Sequence, residues 1–439
     1  MNKIKAVSIY MLLAFSLIAG PVQAAETIDM SLDTALMFAL SNNPDIHITK
    51  DRENQSEAAT REAKSAFYPQ VNASASAGYE YNDPANFRAG RIGDGGQANA
   101  SNQVSLNVNQ MLFDGAQTKE EVARRRQLMT SSQFQGNVIS EKIMTDTARS
   151  YMNVYRYQKI LTEADQFITR LEAITGKINQ MVEAGAENKA KGKYAQSRLA
   201  FAKSERSNAE ASLANAVTEL EFLTGKLPYF KASLPEMKDL LALGLDDYVA
   251  LAEKNNHNLL LNDSDKKALA HELEKTKGQY LPTLGLLMNV TEANDVGGKV
   301  GSDRGAAAML QVNYKIFDGH ARKATKDRVQ SQISEANHQT QRLQRDIRQQ
   351  LKLAYNQIQS LEKEYGMVKE EEKTNSELQA LYRDQFEFGE GDIINLIEGE
   401  ENLYASQIRQ KSIEADIVIN SMQLVRQIGS LKLKEVCPS

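Results

Sequence analysis

The sequence predicts a mainly α-helical protein that also carries membrane β-strands, built as a duplicated unit of long coiled-coil helices around a β-hairpin. Three observations predict it. One set of motifs is written twice, about 200 residues apart. Four segments alternate apolar and polar residues over the length that a tilted strand needs to cross a bilayer. Most of the remaining chain is rich in Leu, Ala, Glu, Lys and Gln, and its 8 prolines in 439 residues leave long stretches without a helix breaker.

The first copy contains Ala39–Pro44, Phe67–Pro69, Leu112–Gly115 and Ala184–Gly185. The second answers in the same order with Ala252–His257, Tyr280–Pro282, Ile316–Gly319 and Phe388–Gly389. The expected organisation is a signal peptide at 1–24, a first repeat at 25–225, a joint at 226–245, a second repeat at 246–431 and a tail at 432–439. Lys3 and Lys5, the apolar run after them and Val22-Gln23-Ala24 carry the signal reading. Pro228, Pro235 and Gly244 interrupt the helical pattern and carry the joint.

The strands are expected at about 70–82, 101–113, 283–293 and 306–317. In the first, Val71, Ala73, Ala75, Ala77, Tyr79 and Tyr81 alternate with Asn72, Ser74, Ser76 and Glu80. The second sets Val104, Leu106, Val108 and Leu112 against Ser105, Asn107 and Asn109. Leu284, Leu286, Met288 and Val290 in the third oppose Gly285, Asn289 and Thr291, and the fourth runs Ala308, Leu310, Val312, Tyr314 and Ile316 against Gln311, Asn313 and Lys315. Aromatics gather near the strand ends, as in an interfacial girdle. Four strands cannot close a barrel, and lipid tolerates no open sheet edge. The chain must therefore pool its strands with copies of itself. Two copies give eight strands around a packed interior; three give twelve, wide enough for a water-filled lumen, which the polar faces favour. A soluble sheet with a buried apolar face is the competing reading, and it requires covering helices of matching length.

Residues 320–388 contain no proline and span on the order of 100 Å as a helix. Leu343, Ile347, Leu351, Ala354, Ile358, Leu361, Tyr365 and Val368 recur there at spacings of three and four, as do Val154, Tyr157, Leu161, Ala164, Ile168, Leu171, Thr175, Ile178 and Val182 in the first copy. These are packing stripes. Asp114 and Asp318 close a strand and cap the helix that follows.

Composition excludes several classes of function. Removal of the signal takes Lys3 and Lys5 and moves the net charge from −5 to −7, which argues against a nucleic-acid partner. Cys437 is the only cysteine, so no disulfide forms within a chain. His47, His257, His271, His320 and His338 are scattered, no phosphate-cradling glycine loop opens a helix, and the sequence offers no catalytic, cofactor or metal constellation.

The duplicated FYP/YLP turn, the paired FDG, and the segments Met181–Ala202 and Gln385–Ser406 carry a resemblance to the TolC family of outer-membrane efflux and export channels over nearly the whole mature chain. The resemblance implies a homotrimer in Gram-negative outer-membrane lipid, with one twelve-stranded barrel continued by a helical tunnel across the periplasm. It implies a far end that closes like an iris and meets a periplasmic adaptor (membrane fusion protein) and an inner-membrane ABC transporter or other pump. The expected function is a passive exit duct for type I protein secretion. Multidrug or metal efflux is the alternative, and a soluble periplasmic coiled-coil adaptor is the reading from another class.

By the same resemblance, Ala184, Gly185, Ala186, Phe388 and Gly389 meet the adaptor, and Ala184 and Phe388 depart from the valine that usually precedes the tip glycine. The gate positions are Asn395, Glu398, Lys191, Phe386 and Gly391. Asn395 replaces an acid, Phe386 a tyrosine, Gly391 an arginine and Lys191 an acid, so the usual latch bonds cannot form. Charge suggests a replacement. Lys189, Lys191 and Lys193 make the first tip basic, while Glu387, Glu390, Asp392 and Glu398 make the second acidic. The expected latch pairs Lys191 with Glu398, or Lys189 with Glu390.

Overall fold

The computed structural model describes residues 28–82, 97–225, 230–236, 241–297 and 301–429. The expected signal segment, the tail with Cys437 and most of the first hairpin loop lie outside the described residues. After a short strand β1 (Ile28–Met30), the first half runs through helices α1 (Leu32–Asn42) and α2 (Pro44–Ser65), strands β2 (Gln70–Asn82) and β3 (Gln97–Phe113), and helices α3 (Gln117–Glu183) and α4 (Lys189–Thr224). Strand β4 (Phe230–Ala232) then returns to pair in parallel with β1. The second half repeats the series with α5 (Leu245–Asn255), α6 (His257–Gly278), β5 (Thr283–Asn294), β6 (Ser302–Asn313), α7 (Ala321–Glu387) and α8 (Ile393–Gln427).

The duplication is written into the element lengths. Both α1 and α5 have 11 residues, α2 and α6 have 22, and α3 and α7 have 67. At 1.5 Å per residue the last pair spans about 100 Å. The expected stripes face inward: Val154, Ala164, Leu171, Thr175 and Ile178 on α3 are buried, as are Ile347, Leu351, Ala354, Ile358, Leu361 and Val368 on α7. The two FDG sequences start both long helices alike. Asp114 Oδ2 accepts the Thr118 amide at 2.6 Å and Asp318 Oδ2 the Arg322 amide at 3.2 Å.

The four long strands form one antiparallel sheet in the order β2-β3-β5-β6, with β2 and β6 as its edges. Register puts Val71, Val108, Met288 and Ala308 in one row across all four strands, and Asn72, Asn107, Asn289 and Ala307 in the next. The two faces invert the soluble pattern. On the apolar face Val71, Val104, Leu106, Met288, Val290, Leu310 and Val312 are exposed. On the other, Ser105 is buried and side chains tie the strands together: Ser74 Oγ to Ser105 Oγ at 2.7 Å, and Asn289 Nδ2 donating to Asn107 Oδ1 at 2.6 Å. Among the described residues no helix packs across the sheet as a layer, which a soluble sheet of this composition would need. Among the described residues no helix is long and apolar enough to cross a membrane.

Two strands are bounded differently from expectation. β3 begins at Gln97 rather than 101, because Asn82 and its neighbours extend the pairing to Gln97. β6 spans 302–313 rather than 306–317. Its last pair is Thr283↔Asn313, and the next residue on the β5 side is Pro282, which has no amide to donate. Tyr314, Ile316 and Phe317 are therefore left exposed beyond the strand. Their counterparts in the first copy, Gln110–Phe113, stay in the sheet only because β5 pairs with them from the other side.

Candidate functional site at the helical tips

The two long helices reverse at the end farthest from the sheet, and they do it with the same turn. At the first tip Gly185 sits at φ 74° and the Ala186 amide reaches back to the Met181 carbonyl at 2.8 Å. At the second, Gly389 sits at φ 80° and the Glu390 amide reaches the Gln385 carbonyl at 3.0 Å. This is the left-handed helix stop that glycine permits, followed at once by a cap for the returning helix. Asn188 Oδ1 accepts the Ala190 amide at 2.9 Å to start α4, and Asp392 Oδ1 accepts the Ile394 amide at 3.1 Å to start α8. Gly391 is required for a different reason: a Cβ there would lie 2.7 Å from the Phe386 amide nitrogen.

Ala184, Gly185, Ala186, Phe388 and Gly389 are all exposed at the turns, with Phe388 84% exposed. Asn395 and Glu398 are exposed on one face at the start of α8. Phe386 is buried, packs in the cluster with Ile178, Ile393 and Leu396, and carries Lys177 Nζ 5.0 Å from its ring centroid. A phenylalanine serves here as core, with no hydroxyl to latch anything.

Lys191 does bridge the two tips, but its partner within the chain is neither Glu398 nor another member of the expected pairs. Its Nζ lies 3.3 Å from Asp392 Oδ1 and 3.4 Å from Glu187 Oε1. The Ile394 amide first, then Lys191, hold the Asp392 carboxyl below the usual aspartate range. Desolvation opposes ionisation of Lys191, yet Asp392 and Glu187 outweigh it and leave the amine above the ordinary lysine value. Lys193 Nζ donates to Gln196 Oε1 at 3.0 Å on its own helix, and Lys189, Glu387 and Glu390 stand exposed. Higher up, Arg198 Nε meets Glu401 Oε1 at 3.3 Å and joins α4 to α8. Burial pushes the Glu401 carboxyl up, Arg198 pulls it down, and Glu398 adds to the rise.

Sequence reasoning missed Glu400. It is 1% exposed, bonded to Arg170 of α3 and to Gln379 of α7, with Arg383 of α7 at 3.5 Å. One buried carboxylate thus ties three helices just behind the tips. The adjoining Gly399 lets α8 approach α7, since a Cβ there would meet Tyr382 Cδ2 at 2.9 Å. The only sequence signal was the run Glu398-Gly399-Glu400-Glu401, which reads like a solvated acidic patch.

A sheet whose apolar face is bare and whose edges are open, joined to paired helices about 100 Å long that end in two matched turns, defines the subunit of a membrane-inserted duct. The sequence profile of the outer membrane efflux proteins matches residues 36–226 and 249–430, and the chain belongs to that family. It is 21% identical over 427 residues to the outer membrane efflux protein BepC of Brucella suis biovar 1 (strain 1330), covering 96% of this chain and 89% of that protein. The fold is similar to the Campylobacter jejuni CmeC outer membrane channel (TM-score 0.80, 13% identity, 93% of this chain and 86% of that one). It is similar also to the Vibrio cholerae outer membrane protein VceC (TM-score 0.76, 13% identity, 91% and 96%). The protein is an outer-membrane efflux channel whose helices extend into the periplasm.

Proposed function

We propose that three copies of this chain close one twelve-stranded barrel and form the passive exit duct of a three-part export machine, its tips docking on a periplasmic adaptor that couples it to an inner-membrane pump. The observation that carries this is the sheet edge. The β6 flank and Tyr314–Phe317 lack the partner that β5 gives the matching residues of the first copy, and β2 of another copy supplies one. Exposed Ala184–Ala186 and Phe388-Gly389 offer the adaptor a small-residue turn and an aromatic one. Lys191–Asp392 then holds adjacent tips together, and Asn395 and Glu398 line the entrance they close.

Two cargo classes fit. Efflux is supported by the names of the family and of BepC, and drugs or metal ions are the cargo this reading gives it. Type I protein secretion is supported by the second tip, whose run from Phe388 to Tyr404 resembles secretion members. Deleting the gene separates them: loss of one exported polypeptide selects secretion, and broad sensitivity to drugs or metals selects efflux. A strain that changes in neither respect would refute the export reading.

A further inference from the structure

Behind the tips, α3, α7 and α8 enclose a recess of about 360 Å³ that the duct does not need. Its floor is apolar, from Ile174, Phe386 and Leu396, and its volume lies within the ~300–1,000 Å³ of small-molecule sites, more than one inserted side chain fills. It opens away from the gate. Leu396 and Glu400 lie about 150° around α8 from Asn395 and Glu398, and the first two are buried while the second two are exposed.

The polar groups are short of acceptors. Glu400 is spent on Arg170, Gln379 and Arg383, yet Arg170 Nη2 remains buried without a hydrogen-bond partner. Lys177 lies over the Phe386 ring, and among the described residues no carboxylate pairs with it. Glu387 at the rim is the opposing charge, so Arg170, Lys177 and Arg383 outnumber the two carboxylates. A buried donor left unmade is costly, and a cation held over an aromatic floor suits a charged head on a flat apolar body.

We propose that this recess binds a small amphipathic organic anion, a carboxylate or sulfonate on an aromatic or short alkyl body. The head takes Arg170 Nη2 and Lys177 Nζ, and the body covers Ile174 and Leu396.

The test uses the full mature protein in lipid nanodiscs and isothermal titration with 1-naphthoate, with 1-naphthylmethylammonium as the cationic control. The expected result is saturable binding of naphthoate, one per chain, and none of the amine. Lys177→Gln, at an exposed position on the rim, weakens it about tenfold, the scale of one lost charge-assisted contact. Ala173→Phe, which puts a ring into the mouth from an exposed site without touching any charge, abolishes it. Equal binding of acid and amine overturns the anion chemistry. Binding that survives both variants, or no saturable binding at all, overturns the site. Because the readout is binding to purified protein, failure here leaves the export reading standing.

Discussion

Asn43 and Asn256 hold the same post in the two halves of the chain. Asn43 Oδ1 caps α2 by accepting the Asp45 amide at 2.9 Å, while its Nδ2 donates to the Leu223 carbonyl at the end of α4 at 3.1 Å. Asn256 caps α6 through the Asn258 amide at 2.9 Å and donates to the Gln427 carbonyl at the end of α8 at 2.7 Å. Each side chain thus satisfies an orphan donor of one helix and an orphan acceptor of another, at the joint between the sheet-side helices and the returning tunnel helix. Both residues are buried. Replacing either with Ala should cost about 1–2 kcal/mol, the upper part of the cap range because an acceptor is orphaned as well. The joints lie in different repeats, so the double variant should come close to the sum. Thermal unfolding in detergent measures it, and a cost under a few tenths would contradict the double role.

That pair also marks what the sequence could and could not tell. Asn42-Asn43-Pro44 and Asn255-Asn256-His257 were legible as a repeat, since spacing and order are local. Their purpose was not, because each second bond runs to a carbonyl more than 170 residues away. The strands were legible for the opposite reason: lipid on one side and water on the other impose an alternation that no distant contact can blur. The end of β6 failed because pairing, not pattern, decides it: Tyr314 and Ile316 keep the alternation but have no ladder partner among the described residues. At the tips, the charges were legible, while the contacts each one makes inside the chain were not. Within the chain Lys191 reaches the capping Asp392, a contact the charges alone do not single out, and the buried Glu400 sits between an exposed Glu398 and a partly buried Glu401.

The Glu400 tie should be the strongest polar contact near the tips. Glu400→Ala leaves Arg170 and the Arg383–Gln379 side facing a buried hole, and losing one partner of a buried ion network costs about 3–5 kcal/mol. The loss should be local. Limited proteolysis should cut faster between 183 and 192 and between 387 and 392, while the sheet keeps its resistance. Uniform digestion along the chain would show that the network supports the whole fold.

The tip link is weaker and should matter for gating. Lys191 and Asp392 are partly exposed, so each link contributes about 0.2–1 kcal/mol, and reversing Lys191 to Glu should raise the open fraction a few-fold in planar-bilayer recordings. The pH dependence follows from the two shifts. Asp392 lies below its ordinary value, so its contribution is full above about pH 4 and disappears as pH falls through the lowered value. Lys191 lies above its ordinary value, so its contribution is full below about pH 10 and disappears as pH rises through the raised one. Opening should be flat between about pH 5 and 9 and rise at the acid end. Asp392→Asn keeps the cap on α8 but removes the charge, so it should open at neutral pH and lose the acid limb. A variant with wild-type conductance at every pH would remove Lys191–Asp392 from the closure.

The repeat predicts where two copies touch. In the chain, Gln110 of β3 pairs with Leu286 of β5, beyond the point where β2 stops pairing. The first-copy pair Gln70↔Asn109 matches the second-copy pair Thr283↔Asn313. Carrying Gln110↔Leu286 forward by the same offsets places Tyr314 opposite Ala73 of a neighbouring copy. Both are exposed on the open flanks of the sheet. With Cys437 replaced by Ser, the variant Ala73→Cys/Tyr314→Cys should form oxidised products that stop at three chains, since a closed ring leaves no free edge. Each single cysteine should stay monomeric on a denaturing gel, and shifting one cysteine by a residue, to Asn72, should fail because it turns the thiol to the other face. A ladder that climbs past three would mean an open filament of sheets. No cross-link at all would mean that β6 and β2 never meet, and the shared barrel would fall with it.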